Sequence, residues 1–183
     1  MKLQRSSLFL IFALAAFGAA AQGWKARDGS TLADEPDRQS DGDFGAWLIL
    51  VDDEEKFLKT WATPSETVSI DTADRIERNK FITAVVVFSG CTANLTGGCD
   101  IEGGFEVMQP DGKVYAKVKP QRAWPVDVSP RPGILVMSEI YLRVRIEPGE
   151  LLGEYTIRAS LADLMAGKEL FLESKFEAYE SAT

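Results

Sequence analysis

Apolar and polar residues alternate with a period of two through much of the chain. Ile140, Leu142, Val144 and Ile146 interleave with Tyr141, Arg143, Arg145 and Glu147, which puts one set on each face of a strand. After the turn Pro148-Gly149-Glu150, Tyr155, Ile157, Ala159 and Leu161 alternate with Glu154, Thr156, Arg158 and Ser160. Upstream, Ile101, Gly103, Phe105 and Val107 share one face while Glu102 and Glu106 share the other. Past Pro110-Asp111-Gly112, Val114, Ala116 and Val118 alternate with Lys113, Tyr115, Lys117 and Lys119. That pattern predicts a hairpin with one buried and one wet face. Phe81–Ser89 is different, being β-branched or aromatic and apolar at nearly every position, as a central strand covered on both sides would be. Phe44–Val51 reads as a short buried strand, Ile134–Met137 as the start of another and Leu170–Phe176 as the last.

One segment has a helical period. Phe57, Leu58 and Trp61 fall one helix face apart, the acids Asp52 to Glu55 precede them, and Pro64 follows. A helix of about two turns over Glu54–Trp61 is predicted. Thr67–Ile70 is expected to be a brief strand and Asp71–Asn79 a polar turn region. Pro120–Gly133 carries four prolines, too many for a central strand, and is expected to be a loop or an edge crossing. About eight strands, closely spaced turn signals and one short helix predict an all-β fold, an antiparallel immunoglobulin-like β-sandwich, with a closed barrel as the alternative. The proline-rich crossing favours two sheets, because a chain must leave one sheet to join the other.

Polar composition changes the picture at the N-terminal end. Lys2 and Arg5 precede the apolar run Leu8–Ala21, 14 residues long, which is shorter than the ~20 needed to cross hydrocarbon. With Ala19 and Ala21 in an A-x-A pattern, residues 1–21 read as a signal peptide cut before Gln22. Residues 22–43 lack apolar periodicity and read as a flexible lead-in, with Trp24 either docked or exposed, and residues 44–180 as the sandwich domain. No transmembrane segment is expected in the mature chain, and a periplasmic or secreted location follows. The whole chain has 20 basic and 28 acidic residues. The leader carries only the two basic ones, so the mature chain is near −10, which argues against nucleic acid or anionic lipid as partner.

Cys91 and Cys99 enclose seven residues between the central strand and the first hairpin. In an exported protein such a pair is most simply a disulfide, contributing about 2.6 kcal/mol by the chain-entropy estimate; free thiols and metal ligation are the alternatives. Asn94-Leu95-Thr96 fits the glycosylation sequon, but the short alanine-rich leader looks bacterial, so no glycan is expected. The acids Asp52–Glu55 lack the spaced ligands and glycine turn of a calcium loop and read as helix capping. No metal and no cofactor is expected.

The chain contains no histidine, which excludes a Ser-His-Asp triad, a Cys-His dyad and the usual histidine-containing zinc sites. No nucleophile elbow, phosphate loop or dinucleotide fingerprint is present. The expectation is therefore a protein that is not an enzyme, with a carboxylate-based hydrolase third in line. The candidate binding residues are Trp61 and Trp124, as an aromatic platform, and Lys113, Lys117 and Lys119, with Arg143 and Arg145, as an outward basic patch. Against each stands a plainer role. Tryptophans close sandwich cores, and the lysines pair with Glu102 and Glu106 or protect an edge.

Gly153, Tyr155, Ile157 and Ala159 form a G-x-Y-x-I-x-A stretch that leads on to the closing segment KELFLESKFEA, Lys168 to Ala178. This resembles the terminal strands of immunoglobulin-like and macroglobulin-type extracellular domains. With Trp47, the Cys91/Cys99 loop and Pro110-Asp111-Gly112, the chain is similar to uncharacterised exported bacterial proteins carrying such sandwiches. The resemblance covers about a third of the chain and implies a fold, not an activity. The functional expectation is an exported, non-enzymatic binding or structural protein that contacts another envelope protein, or an extended segment, by a sheet edge or its loop end. The alternative is a carbohydrate or small-ligand module using the loop tryptophans.

Overall fold

The computed structural model describes residues 24, 30, 32–63, 70–125, 127, 128, 130 and 133–181. Nine strands and one helix follow in the order β1 (Arg38–Asp41), β2 (Phe44–Val51), α1 (Glu54–Ala62), β3 (Arg75–Glu77), β4 (Phe81–Ser89), β5 (Ile101–Met108), β6 (Val114–Arg122), β7 (Val136–Arg145), β8 (Gly153–Asp163) and β9 (Lys168–Tyr179). They form two sheets, of order β1-β2-β4-β7 and β3-β9-β8-β5-β6. This is the all-β immunoglobulin-like sandwich with one short helix that the alternation predicts. All pairings are antiparallel except one, in which β3 runs parallel to β9.

The main core lies between the sheets. Leu48, Val86, Phe88 and Val144 from one meet Ile101, Phe105, Ile157, Leu161 and Phe176 from the other. The sheets approach closely at Gly103, where an added Cβ would stand 2.7 Å from Ile140 Cδ1 and 2.8 Å from the Ser160 carbonyl. A second, smaller core covers the outer face of the four-stranded sheet, with Phe57 and Trp61 of α1 over Ile49, Val51, Val85 and Val87. That layer explains why β4 reads as apolar at nearly every step: residues 82–88 are all buried, alternately against the main core and the helix layer, and the one polar residue, Thr83, bonds to Glu54 of α1. The helix starts where Asp53 Oδ1 accepts the Lys56 amide at 2.9 Å, the capping role expected of the acidic run.

Several local expectations need correction. Strand β1 and a docked Trp24 lie in the segment read as a lead-in; an added Cβ on Gly45 would be 3.3 Å from the Trp24 ring, and Trp24 Nε1 donates to the Gln39 carbonyl at 3.1 Å. Strand β1 has no apolar period because its role is backbone pairing to β2, not burial. Strand β3 likewise lies in the polar stretch 71–79 and buries only Ile76. Strand β6 continues through Pro120 to Arg122, which an edge strand tolerates. Tyr115 does not share the outward face of the lysines. A register shift between Val107 and Met108 turns it onto the core, where its ring lies 5.8 Å from that of Tyr155. Of the strand expected at Thr67–Ile70, only Ile70 lies within the described residues, and it is outside any strand.

Cys91 and Cys99 form the disulfide, with Cα atoms 6.1 Å apart. The loop they close is organised by Asn94, whose Oδ1 accepts the Thr96 amide, the Thr96 hydroxyl and the Gly98 amide. Buried Asp163 joins this loop to the β8–β9 turn by accepting the amides of Thr92, Met165 and Ala166. Tyr155 bonds from its hydroxyl to the Leu151 carbonyl, four residues upstream, as the tyrosine corner of a sandwich does. Among the described residues no helix is long and apolar enough to cross a membrane.

Candidate binding surfaces

The structure places the expected site residues apart and engages most of them. Trp61 stacks on Phe57 at 5.9 Å and packs on the second core. Trp124 meets Phe88 edge-on at 5.6 Å, donates Nε1–H to the Val128 carbonyl at 2.8 Å and closes one end of the main core. Lys113 pairs with Asp111 within the hairpin turn at 2.7 Å. Lys117 pairs with Glu106 across the strands at 2.9 Å. Lys119 has no ion pair among the described residues. Arg143 pairs with Glu54 and Arg145 with Glu147, and both guanidinium groups stand over the Phe81 ring.

What the lysines share is an edge. Strand β6 ends the five-stranded sheet, and its register slips twice along β5. Bulges, lysines and a proline without an N–H are the features that keep an edge from pairing. The neighbouring edge, β7 of the four-stranded sheet, lacks them over its second half. Its hydrogen-bonding phase follows from two flanking bonds. The Arg145 carbonyl accepts from Tyr115 Oη at 3.0 Å, whereas the Ile146 carbonyl accepts from the Asn79 amide at 3.0 Å. On the far side of β4, the Leu50 carbonyl is taken by the Ala73 amide, which sets the same phase through the register Leu50↔Ala84↔Leu142. Backbone groups alternate sides along a strand, so the N–H and C=O of Tyr141 and Arg143 face away from β4. Nothing among the described residues takes them up. The window is bounded at one end by the Glu139 amide on the Ala123 carbonyl, 2.8 Å, and at the other by Tyr115. Beside it Ala116, Val118 and Leu142 are half-buried against the core, and Tyr141 is 56% exposed.

Tyr115 is a fixed post at that window. Burial first, then its hydrogen bond with the Glu150 carboxylate, push its hydroxyl up to about 12, so it stays a donor at any physiological pH.

A second feature lies on the outer face of the five-stranded sheet. In register across it run Gly104, Ser160 and Phe171, and in the next row Lys117, Glu106, Arg158 and Glu173. The second row is a ladder of alternating charge, closed by Lys117–Glu106 at 2.9 Å and Arg158–Glu173 at 3.0 Å. The Glu106 carboxyl is held below its usual range by the Lys117 hydrogen bond and charge, and less strongly by Arg158. Phe171 is 68% exposed and lines a depression of about 640 Å³ with Pro36, Pro120 and Ser160. The sequence reading did not single out Phe171. Its signal was its phase, because it stands with Glu169 and Glu173, opposite to Leu170 and Leu172, and therefore points outward. Among the described residues no group of three metal-type ligands comes together.

No family model and no curated protein matches the chain. Solved structures resemble it in part, three of them as follows. One is a family 123 glycoside hydrolase from Clostridium perfringens, at 8% identity and a TM-score of 0.41 over 76% of this chain and 28% of that one; the chain thus spans just over a quarter of that enzyme's length. Another is the C-terminal domain of wzt, at 12% identity and 0.41 over 79% and 78%. The third is a Niemann-Pick type C2 protein from Japanese carpenter ant, at 9% and 0.35 over 72% and 89%.

Proposed function

We propose that this protein is an exported, non-enzymatic β-sandwich that holds an extended segment of another envelope protein against the free edge of β7. The observation that carries this reading is the window from Tyr141 to Arg143, where outward backbone groups lie beside half-buried Leu142, Val118 and Ala116. An added strand would find hydrogen-bond partners in the backbone and an apolar floor for every second side chain. Its width supports a single strand over a folded sheet. Tyr115 of β6 reaches the Arg145 carbonyl, so β6 stands beside the edge and would obstruct a second sandwich.

The leader pattern and the disulfide support a periplasmic or secreted location. The lack of histidine and of nucleophile motifs supports the non-enzymatic reading. The alternative of a sugar module built on Trp61 and Trp124 draws no support from their packing, since both rings are engaged with core residues.

Proline at position 141 tests the edge directly, because it removes an N–H that β4 does not use. Crosslinking in intact cells with the normal protein should recover one enriched envelope partner, and Tyr141→Pro, still folded, should lose it. Recovery of monomer alone, or a partner retained by the proline variant, contradicts the proposal.

A further inference from the structure

The depression on the five-stranded sheet is separate from the β7 edge and has its own chemistry. Its floor is small, Gly104 and Ser160, and its raised side is the exposed ring of Phe171. Gly104 is small of necessity: a Cβ there would fall 2.7 Å from the Val118 carbonyl and 3.0 Å from the Pro120 nitrogen, where β6 bulges. The walls are fixed. Pro36 is held by the Glu173 amide on its carbonyl at 2.7 Å, and Pro120 lies in β6.

The polar groups around it set limits on what it can take. Lys117, Glu106, Arg158 and Glu173 neutralise one another in two ion pairs, so a phosphate or carboxylate ligand would meet no net positive charge and would lie against the Glu106 and Glu173 carboxylates. An acyl chain would cover four charged groups without replacing their water, which is costly. Hydrogen-bonding capacity nevertheless remains. Arg158 uses only Nε toward Glu173, and neither its terminal nitrogens nor the Ser160 hydroxyl has a protein partner among the described residues. A volume of about 640 Å³ is within the usual range of small-ligand sites.

We infer that this depression binds a neutral saccharide, one ring stacked on Phe171 and its hydroxyls bonded to Ser160, Arg158 and the free oxygens of Glu106 and Glu173. An aromatic face accepts the C–H face of a sugar ring, and a neutral ligand rich in hydroxyls can use the ion pairs without separating them. The site goes beyond the edge-binding proposal and shares only Val118 of β6 with the β7 window.

The test is an NMR titration of the mature protein with maltotriose, cellotriose, tri-N-acetylchitotriose and a rhamnose-galactose oligosaccharide, with inorganic phosphate and decanoate as separate arms. At least one saccharide should give saturable shifts at Ser160, Arg158 and Phe171. Phe171→Ala should weaken that binding about tenfold or more, the size expected for one lost stacking contact, while shifts elsewhere and Tm are unchanged. Tyr141→Pro should leave it intact, which separates the two proposals. The inference is overturned if no saccharide shifts these residues, if only phosphate or decanoate does, if Phe171→Ala binds as well as the normal protein, or if sedimentation shows a dimer that Phe171→Ala dissociates.

Discussion

The two long sides of this sandwich handle the same problem differently. On one side, residues 35–41 bridge the sheets: β1 pairs with β2, the Asp37 carbonyl takes the Leu48 amide at 2.8 Å, and the Pro36 carbonyl takes the Glu173 amide at 2.7 Å. Trp47 Nε1 also reaches Asp37 Oδ2 at 3.0 Å. On the other side, β6 is blunted by two register shifts, a proline and lysines, and the outward backbone groups of Tyr141 and Arg143 in β7 have no partner among the described residues. The open edge beside a guarded one is what the proposed strand addition at β7 would use.

A matched pair of prolines should break that contrast most strongly. Glu173→Pro removes an amide bonded to Pro36 on the closed side and should cost about 3 kcal/mol or more. Tyr141→Pro removes an unused amide and should cost less than about 1 kcal/mol. Urea unfolding of the two variants reads the difference, and equal losses would mean that the sides are alike. Next in size, Trp47→Ala should lower stability by about 2–3 kcal/mol, through lost packing of a half-buried indole and an unpaired Asp37 carboxylate; a Tm within one degree or so of the normal protein would contradict its place in the closed side.

On the open side the effects are smaller. Tyr115→Phe gives up the one O–H that the Arg145 carbonyl and the Glu150 carboxylate share and should cost about 1 kcal/mol at neutral pH. It should also alter the alkaline behaviour. Below pH 10 the hydroxyl is protonated in both states. Between 10 and about 12 the unfolded chain releases the proton while the fold retains it, so stability falls across that window. The phenylalanine variant should lose stability less steeply there, with a residual slope because burial raises Tyr155 as well. An unchanged slope would show that Tyr115 is not held as described. Smallest of all, Lys117→Ala should change stability by less than about 1 kcal/mol, because its partner Glu106 stays solvated; a larger loss would mean that the charge ladder is a structural element and not a surface one.

The sequence revealed the elements whose faces differ in burial. β5, β7 and β8 alternate because one face meets the core and the other meets water, and β4 is almost uniformly apolar because α1 covers its second face. It concealed the elements that act through backbone alone. β1 and β3 carry Arg38-Gln39-Ser40-Asp41 and Arg75-Ile76-Glu77, and nothing in those side chains records that their amides and carbonyls complete a sheet. The same holds for the candidate site. Tyr141 was legible as outward, but its unpaired amide depends on the phase set by Leu50, Asn79 and Tyr115, residues distant in sequence. The surroundings of the tryptophans were hidden for a related reason. Their size marks them as important, and only tertiary contact shows that Trp61 and Trp124 are engaged in packing. Phe171 was hidden in the apolar run Leu170-Phe171-Leu172, where phase and not composition separates the exposed ring from its buried neighbours.

Residue-resolved amide hydrogen exchange on the isolated and partner-bound protein tests the central claim most directly. In the isolated protein the amides of Tyr141 and Arg143 should exchange rapidly while those of Leu142 and Val144, bonded to β4, are protected, and capture of the partner segment should slow the first pair. Uniform protection along β7 in the isolated protein, or an exchange pattern unmoved by the partner, would contradict it.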